Sequence, residues 1–184
     1  MDDVLLVCTG NICRSPIAEA LVSSRVGRSV HVASAGLLSE GIAPPLEAVE
    51  AMREFGIDIS AHLSRRVNEE MLDRADVVIG MAREHVREVT VISRSTWPKA
   101  FTLKELVRRG REVGSRSAKE TLEEWLERVS VGREYAMLLG DSQDDDVEDP
   151  IGGSFEQFLY TARQIDALVN ELIGLAWPPM AYPL

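Results

Sequence analysis

Hydrophobic residues fall into short continuous runs that alternate with stretches of helical period. Val4-Leu5-Leu6-Val7 is apolar throughout, the pattern of a strand covered on both faces. A glycine-containing loop follows. It leads to Ser15-Pro16, read as a helix start with Ser15 as N-cap and Pro16 at the first helical position. Val30-His31-Val32-Ala33 reads as a second strand ending at Ser34-Ala35-Gly36. Pro44-Pro45 opens a helix with Leu46, Val49 and Met52 on one face, closed by Gly56. Asn68 caps a short helix that turns Met71, Leu72 and Ala75 inward, and Val77-Val78-Ile79 is a third buried strand. Residues 82–89 read as helix and Lys99 to Thr102 as a fourth strand. Ser154 and Gln157 form a capping box for a helix with Phe155, Phe158, Leu159, Ala162, Ile165, Val169 and Leu172 on one stripe. The alternation predicts an α/β fold: a single-domain, open four-stranded parallel sheet with helices on both faces.

Residues 103–146 fit this pattern least and are expected to be a helical insertion. They hold a basic piece (Lys104, Arg108, Arg109, Arg111, Arg116) and an amphipathic helix with Leu122, Trp125, Leu126 and Val129 as its apolar face. An acidic run, Asp144 to Asp149, reads as a loose, solvated loop. The expected domain spans residues 1–176, and the proline-rich residues 177–184 read as a tail.

Composition narrows the function classes without choosing one. A chain of 184 residues, 45% apolar and 27% charged, is an ordinary globular domain and excludes disordered, collagen-like and coiled-coil chains. No apolar run approaches the roughly 20 residues of a membrane span, and Met1-Asp2-Asp3 leads straight into a strand, so no signal peptide or membrane partner is expected. Two cysteines are too few for a disulfide scaffold and make a cytoplasmic location the default. The net charge of −10 opposes nucleic-acid binding. A monomer or weak dimer is expected.

The chemistry lies in Cys8-Thr9-Gly10-Asn11-Ile12-Cys13-Arg14-Ser15-Pro16. Between a buried strand and a helix N-terminus, the backbone N–H groups of such a loop converge on one point and form an anion site. Arg14 adds a planar, permanently charged fork suited to two phosphate oxygens. That setting favours the thiolate of Cys8, and a hydrogen bond from Ser15 would favour it further. A Cys8 that merely fills the core would leave Arg14 and the polar loop unexplained. A zinc site lacks ligands, with two cysteines and no histidine pair at ligand spacing.

These residues resemble the low-molecular-weight protein tyrosine phosphatases: Cys, five residues, Arg, Ser near the N-terminus, with a Gly-Asn pair and a second Cys before the Arg. Ser34-Ala35-Gly36, His62-Leu63-Ser64-Arg65, Asp76 to Met81 and Asp149-Pro150 resemble further family segments, over residues 4–102 and 147–173. The resemblance implies catalysis by Cys8, Arg14 and Asp149, with Cys8 as nucleophile and Asp149 as general acid, and no metal or cofactor. Thr9, Gly10, Asn11, Ile12, Cys13 and Ser15 would hold the phosphate. Asn11 would be braced by Ser34, His62 would be a hydrogen-bonded support, and Cys13 would protect Cys8 through a reversible disulfide. His31 and His85 carry no signal.

The main expectation is hydrolysis of phosphotyrosine in proteins. Alternatives are a phosphatase of a small phosphorylated metabolite or of phosphoarginine, an arsenate reductase, and a non-catalytic phospho-ligand binder. Tyrosine-specific members of the family carry an aromatic residue after Asp-Pro, where this chain has Ile151; Trp97, Tyr135 or Trp125 would have to substitute. A bacterial subgroup acting on phosphoarginine carries Thr at the position of Ile12, which points this chain toward phosphotyrosine. Arsenate reduction normally needs two cysteines besides the nucleophile to pass the oxidation along, and this chain offers only Cys13. Residues 103–146 are expected to form a cap beside the pocket, with arginines that draw in phosphorylated substrate.

Overall fold

The computed structural model describes residues 1–38 and 40–178. Four parallel strands, β1 (Asp2–Cys8), β2 (Val30–Gly36), β3 (Val77–Gly80) and β4 (Ala100–Thr102), pair in the order β2-β1-β3-β4. Val4, Leu6 and Cys8 of β1 face one helix layer and Leu5 and Val7 face the other, which is why the strand is apolar without alternation. The first layer holds α1 (Arg14–Ser23), α2 (Leu46–Arg53), α5 (Leu103–Val113), α6 (Leu122–Ser130) and α7 (Phe155–Ala176). The second holds α3 (Glu69–Arg74) and α4 (Arg83–Ile92). The chain winds outward from β1 to β2, then returns to β3 on the other side of β1. The loops after β1 and β3 therefore part at the C-terminal edge of the sheet, the place where open α/β sheets bind ligands.

Local boundaries differ from the sequence reading in instructive ways. Cys8 is the last residue of β1, paired with Gly36. Helix α1 starts at Arg14 with Cys13 in the N-cap position, so Ser15 is not the cap. Its hydroxyl is turned inward to Cys8 and Asn11, and Pro16 still lies in the first turn, where no N–H partner is lost. Leu46 is exposed, while Val49 and Met52 reach the core. Asn68 caps α3 by accepting from Met71 N–H, and the Ser154–Gln157 capping box starts α7.

Residues 103–146 pass around the outer edge of β4 from one helix layer to the other. Helix α5 packs on α7, and α6 packs on α5 and on the turn Arg94–Lys99 that precedes β4. Tyr135–Leu138 then rests on α4, where Leu138 joins the opposite core. An edge strand leaves carbonyls without strand partners. Here Arg133 covers them: Nη2 donates to Ala100 O (2.6 Å) and Nε to Glu105 Oε1 (2.8 Å), and the guanidinium lies 4.1 Å and 3.9 Å from the Trp97 and Phe101 ring centroids.

Three expectations about this region are corrected. The acidic run is not loose: Asp145 is 6% exposed and Asp146 accepts from Arg83 N–H. The basic residues are engaged within the protein: Arg108, Arg109, Arg111 and Arg116 pair with Asp145, Glu105, Glu171 and Asp2, and Lys104 donates to Gln143 O. Helix α6 sits by the N-terminal ends of the strands, with Ser130 Oγ donating to Pro98 O (3.3 Å), across the sheet from Cys8 rather than over the pocket. Trp177, read as tail, is tied down as well, its indole N–H donating to Asp2 Oδ2 (2.9 Å). The rest of that tail, from Pro179, lies outside the described residues. No described helix is long and apolar enough to cross a membrane.

Candidate active site

The loop from Cys8 to Arg14 turns through Asn11, whose φ of 51° is the only positive value at a non-glycine among the described residues. Asn is one of the few side chains that tolerate this region. Its amide is engaged at both ends: Nδ2 donates to Ser15 Oγ (3.0 Å) and Ser34 Oγ (2.7 Å), and Oδ1 accepts from Arg65 N–H (2.9 Å). His62 Nε2 donates to Asn11 O (2.9 Å). Ser34 donates onward to Glu19 (2.5 Å), which pairs with Arg65 at 3.5 Å and closes a ring of contacts behind the loop. Gly36 permits the close approach, for a Cβ there would lie 2.9 Å from Gly10 C and Asn11 N.

This ring aims donors at one sulfur. Asn11 N–H points to Cys8 Sγ (3.2 Å), and Ser15 Oγ lies 3.0 Å from the same atom. Asn11 Nδ2 donates to Ser15, whose own proton has Cys8 Sγ at 3.0 Å and the more distant Ala35 O at 3.5 Å as acceptors. Both cysteines are free thiols and buried. Burial, then the charges of Asp149 and Cys8, push the Cys13 thiol up to about 12 against the opposing pull of Arg14. Ile12 is half-buried against the core.

Arg14 comes from the first turn of α1 and is 4% exposed. Its Nη1 donates to Val147 O (3.2 Å), and its Nη2 to Thr9 Oγ1 (3.3 Å) and Asp149 Oδ2 (2.5 Å). Asp149, with 43% of its side chain exposed, therefore stands at the mouth of the loop, 135 residues away in sequence. Val147 N–H donates to Met81 O (2.8 Å), which anchors the Asp149 segment beyond β3, at the point where the strand order reverses. The expected residues Cys8, Thr9, Gly10, Asn11, Cys13, Arg14, Ser15, Ser34, His62 and Asp149 are thus brought to one edge of the sheet.

Sequence reasoning missed His85. It is completely buried at the start of α4, with Nε2 2.9 Å from Thr9 Oγ1 and Nδ1 without a partner. Burial, then the charges of Arg14 and Arg87, lower it to about 3, so it stands neutral behind the loop. The signal available was position: His85 follows β3 in the loop-and-helix that flanks the switch point. The aromatic substitutes proposed for Ile151 do not serve. Trp97 and Tyr135 pack edge to face at 5.4 Å by the N-terminal end of β4, and Trp125 is fully buried under α5.

The model of the family "low molecular weight phosphotyrosine protein phosphatase" matches residues 3–129. The protein-arginine-phosphatase of Bacillus subtilis is 33% identical over 175 residues, covering 92% of this chain and 93% of that one. The crystal structure of a low molecular weight protein tyrosine phosphatase from T. tengcongensis superposes with a TM-score of 0.70 at 34% identity, covering 94% and 98% of the two chains. An arsenate reductase of Brevibacillus brevis is 34% identical over 125 residues, covering 63% of this chain and 91% of that one. The chain belongs to the low-molecular-weight phosphotyrosine protein phosphatase family.

Proposed function

We propose that this protein is a cysteine-dependent phosphatase of phosphorylated protein side chains, and that phosphoarginine is its substrate class. The Cys8 thiolate attacks phosphorus in line, forming the S–P bond as the P–N bond breaks. The electron pair leaves on nitrogen, which takes a proton from Asp149, a contribution of about 10²–10⁴ in rate for general acid catalysis. Arg14 and the loop amides hold the equatorial oxygens, where charge is densest in the transition state. Water then attacks the cysteinyl phosphate, Asp149 takes its proton, and the thiolate is restored.

The observation that carries the substrate class is the setting of Asp149. Arg14 pairs with it. Asp149 also lines a cavity of about 170 Å³ with Glu148, Pro150, Glu156, Gln157, Tyr160 and Thr161. Carboxylates beside an aromatic face suit a guanidinium. Ile151 offers no ring to stack on a phenyl group. The match over nearly the full length of the Bacillus subtilis arginine phosphatase supports the same reading. Ile12 favours a second one, phosphotyrosine, as does the likeness to the T. tengcongensis phosphatase. Arsenate reduction is disfavoured by a chain with only two cysteines.

The test is steady-state turnover of a phosphoarginine peptide, a phosphotyrosine peptide, an aryl phosphate and several sugar and nucleotide monophosphates, with Cys8→Ser as blank. The expected order puts phosphoarginine first in kcat/KM. Phosphotyrosine in first place would move the assignment to the second reading. A monophosphate metabolite ahead of both peptides would remove the protein substrate altogether.

A further inference from the structure

The acid-bearing segment is held from two helices. Asp145 lies between Arg83 of α4 and Arg108 of α5: Arg83 Nη2 is 2.6 Å from Oδ2, and Arg108 Nη1 is 2.7 Å from Oδ1. The backbone N–H of Arg83 also donates to Asp146 Oδ1 (2.7 Å), so the first residue of α4 grips two consecutive carboxylates. Burial raises the Asp145 carboxyl, but the hydrogen bonds and charges of Arg108 and Arg83 outweigh it and hold the group below its ordinary value. Two residues on, Val147 is fixed through both backbone groups, N–H to Met81 O and O to Arg14 Nη1. Asp149 follows after the exposed Glu148, with a half-exposed side chain that has only Arg14 and its own turn for partners among the described residues.

The chain leading into Asp149 is therefore rigid where it is clamped and free where it must act. We infer that Asp145, clamped by Arg83 and Arg108, is a positioning residue for the general acid: it sets where Asp149 stands over the phosphate loop. Arg108 belongs to residues 103–146, which gives that insertion a part in catalysis without contact with substrate. A misplacement of about 1 Å can cost about a hundredfold in rate, so a clamp two helices wide has leverage. The inference rests on Asp149 being the general acid, and it does not depend on which phosphorylated residue is the substrate.

The test is the dependence of kcat/KM on leaving-group pKa across a series of aryl phosphates, for wild type, Asp149→Ala, Asp145→Asn, Arg108→Gln and Arg108→Lys. A general acid matters most when the leaving group is poor. Asp149→Ala is expected to steepen the dependence. Asp145→Asn and Arg108→Gln are expected to steepen it in the same sense, losing about tenfold on phenol-like leaving groups and little on nitrophenol-like ones. Arg108→Lys, which keeps the charge, is expected to restore most of the loss. Asp145→Asn added to Asp149→Ala should then change nothing further. A uniform loss across the series, or additivity with Asp149→Ala, would overturn the positioning role even in a folded protein. Two variants on opposite sides of the ion pair guard against one that fails to fold. If Asp149→Ala itself leaves the dependence flat, the acid assignment fails and the clamp's role with it.

Discussion

Arg14 and Arg133 are almost equally buried, with side chains 5% and 3% exposed, yet they are built for different ends. Arg133 is closed off. Glu105 takes its Nε and Nη2, the Ala100 and Trp97 carbonyls take further donors, and two aromatic rings flank the guanidinium. Arg14 makes three hydrogen bonds to the described residues, although an arginine carries five N–H donors, and its carboxylate partner stands half in solvent. Burial alone does not separate a binding cation from an architectural one. What separates them is how many donors are left over, two for Arg14 against one for Arg133, and whether the partner can exchange with a ligand.

The sharpest way to break this distinction is to remove each arginine in turn. Arg14→Ala should lower kcat/KM on an aryl phosphate by about 10³–10⁵, the range an arginine supplies to phosphoryl-transfer transition states elsewhere. Arg133→Ala should leave kcat of the folded protein unchanged. Equal losses of turnover in the two variants, measured where both are fully folded, would erase the contrast.

Stability should show the reverse. Arg133→Ala leaves buried Glu105 with Arg109 as its one remaining cationic partner among the described residues, and breaking a buried pair from one side costs up to about 3–5 kcal/mol. Replacing both members, Arg133→Met with Glu105→Leu, should recover much of that loss, because the charges no longer need to be desolvated. Urea unfolding reads both. A double variant no more stable than the single one would mean that the edge of β4 needs the guanidinium donors themselves.

The two regions were not equally legible from sequence. Cys8 to Ser15 could be read because its residues are close in the chain and each has a narrow physical purpose: a nucleophile, a residue tolerant of positive φ, a fork, a hydroxyl. The continuous apolar runs likewise pointed to β1 and β3, since only a strand covered on both faces needs them. Ser15 was misplaced as a cap because capping and thiol solvation ask for the same hydroxyl, and only the tertiary fold puts Cys8 within its reach. The insertion was opaque for a different reason. Its cations had several carboxylates to choose from, and pairings such as Arg108–Asp145 and Arg116–Asp2 span 37 and 114 residues. No local pattern selects among them, so charges that close on the protein itself looked like charges awaiting a ligand. His85 was invisible because its partner, Thr9, is 76 residues away.

Asn11 sharpens the comparison within the loop, where conformation and hydrogen bonding can be separated. Asn11→Gly keeps the positive φ at no steric cost and loses every side-chain contact. Turnover should fall by about a hundredfold as Cys8 and its donors lose alignment. Asn11→Ala should fall further, since a residue with a Cβ also resists the left-handed turn by roughly 1 kcal/mol. If glycine and alanine behave alike, the hydrogen bonds to Ser15, Ser34 and Arg65 alone define the loop.

His85 is the smallest effect and a third kind of buried group. Its Nδ1 has no partner, as a ligand-binding donor would, but it has no exposed surface through which a ligand could reach it. By the rule drawn from the two arginines it should therefore act on stability and leave the acid limb of catalysis alone. In the fold it titrates at about 3, whereas unfolded it takes its ordinary value of 6.5. Its contribution is fully present above 6.5 and is lost as pH falls toward 3, because only the unfolded chain gains the proton. The folding equilibrium of the wild type should weaken by about tenfold for each pH unit below 6.5 from this group. His85→Asn should remove that component, so the stability difference between variant and wild type narrows as the solution is acidified. The pH profile of kcat/KM should keep its acid limb in His85→Asn. A limb that shifts with the substitution would mean that His85 exchanges a proton with the site through Thr9.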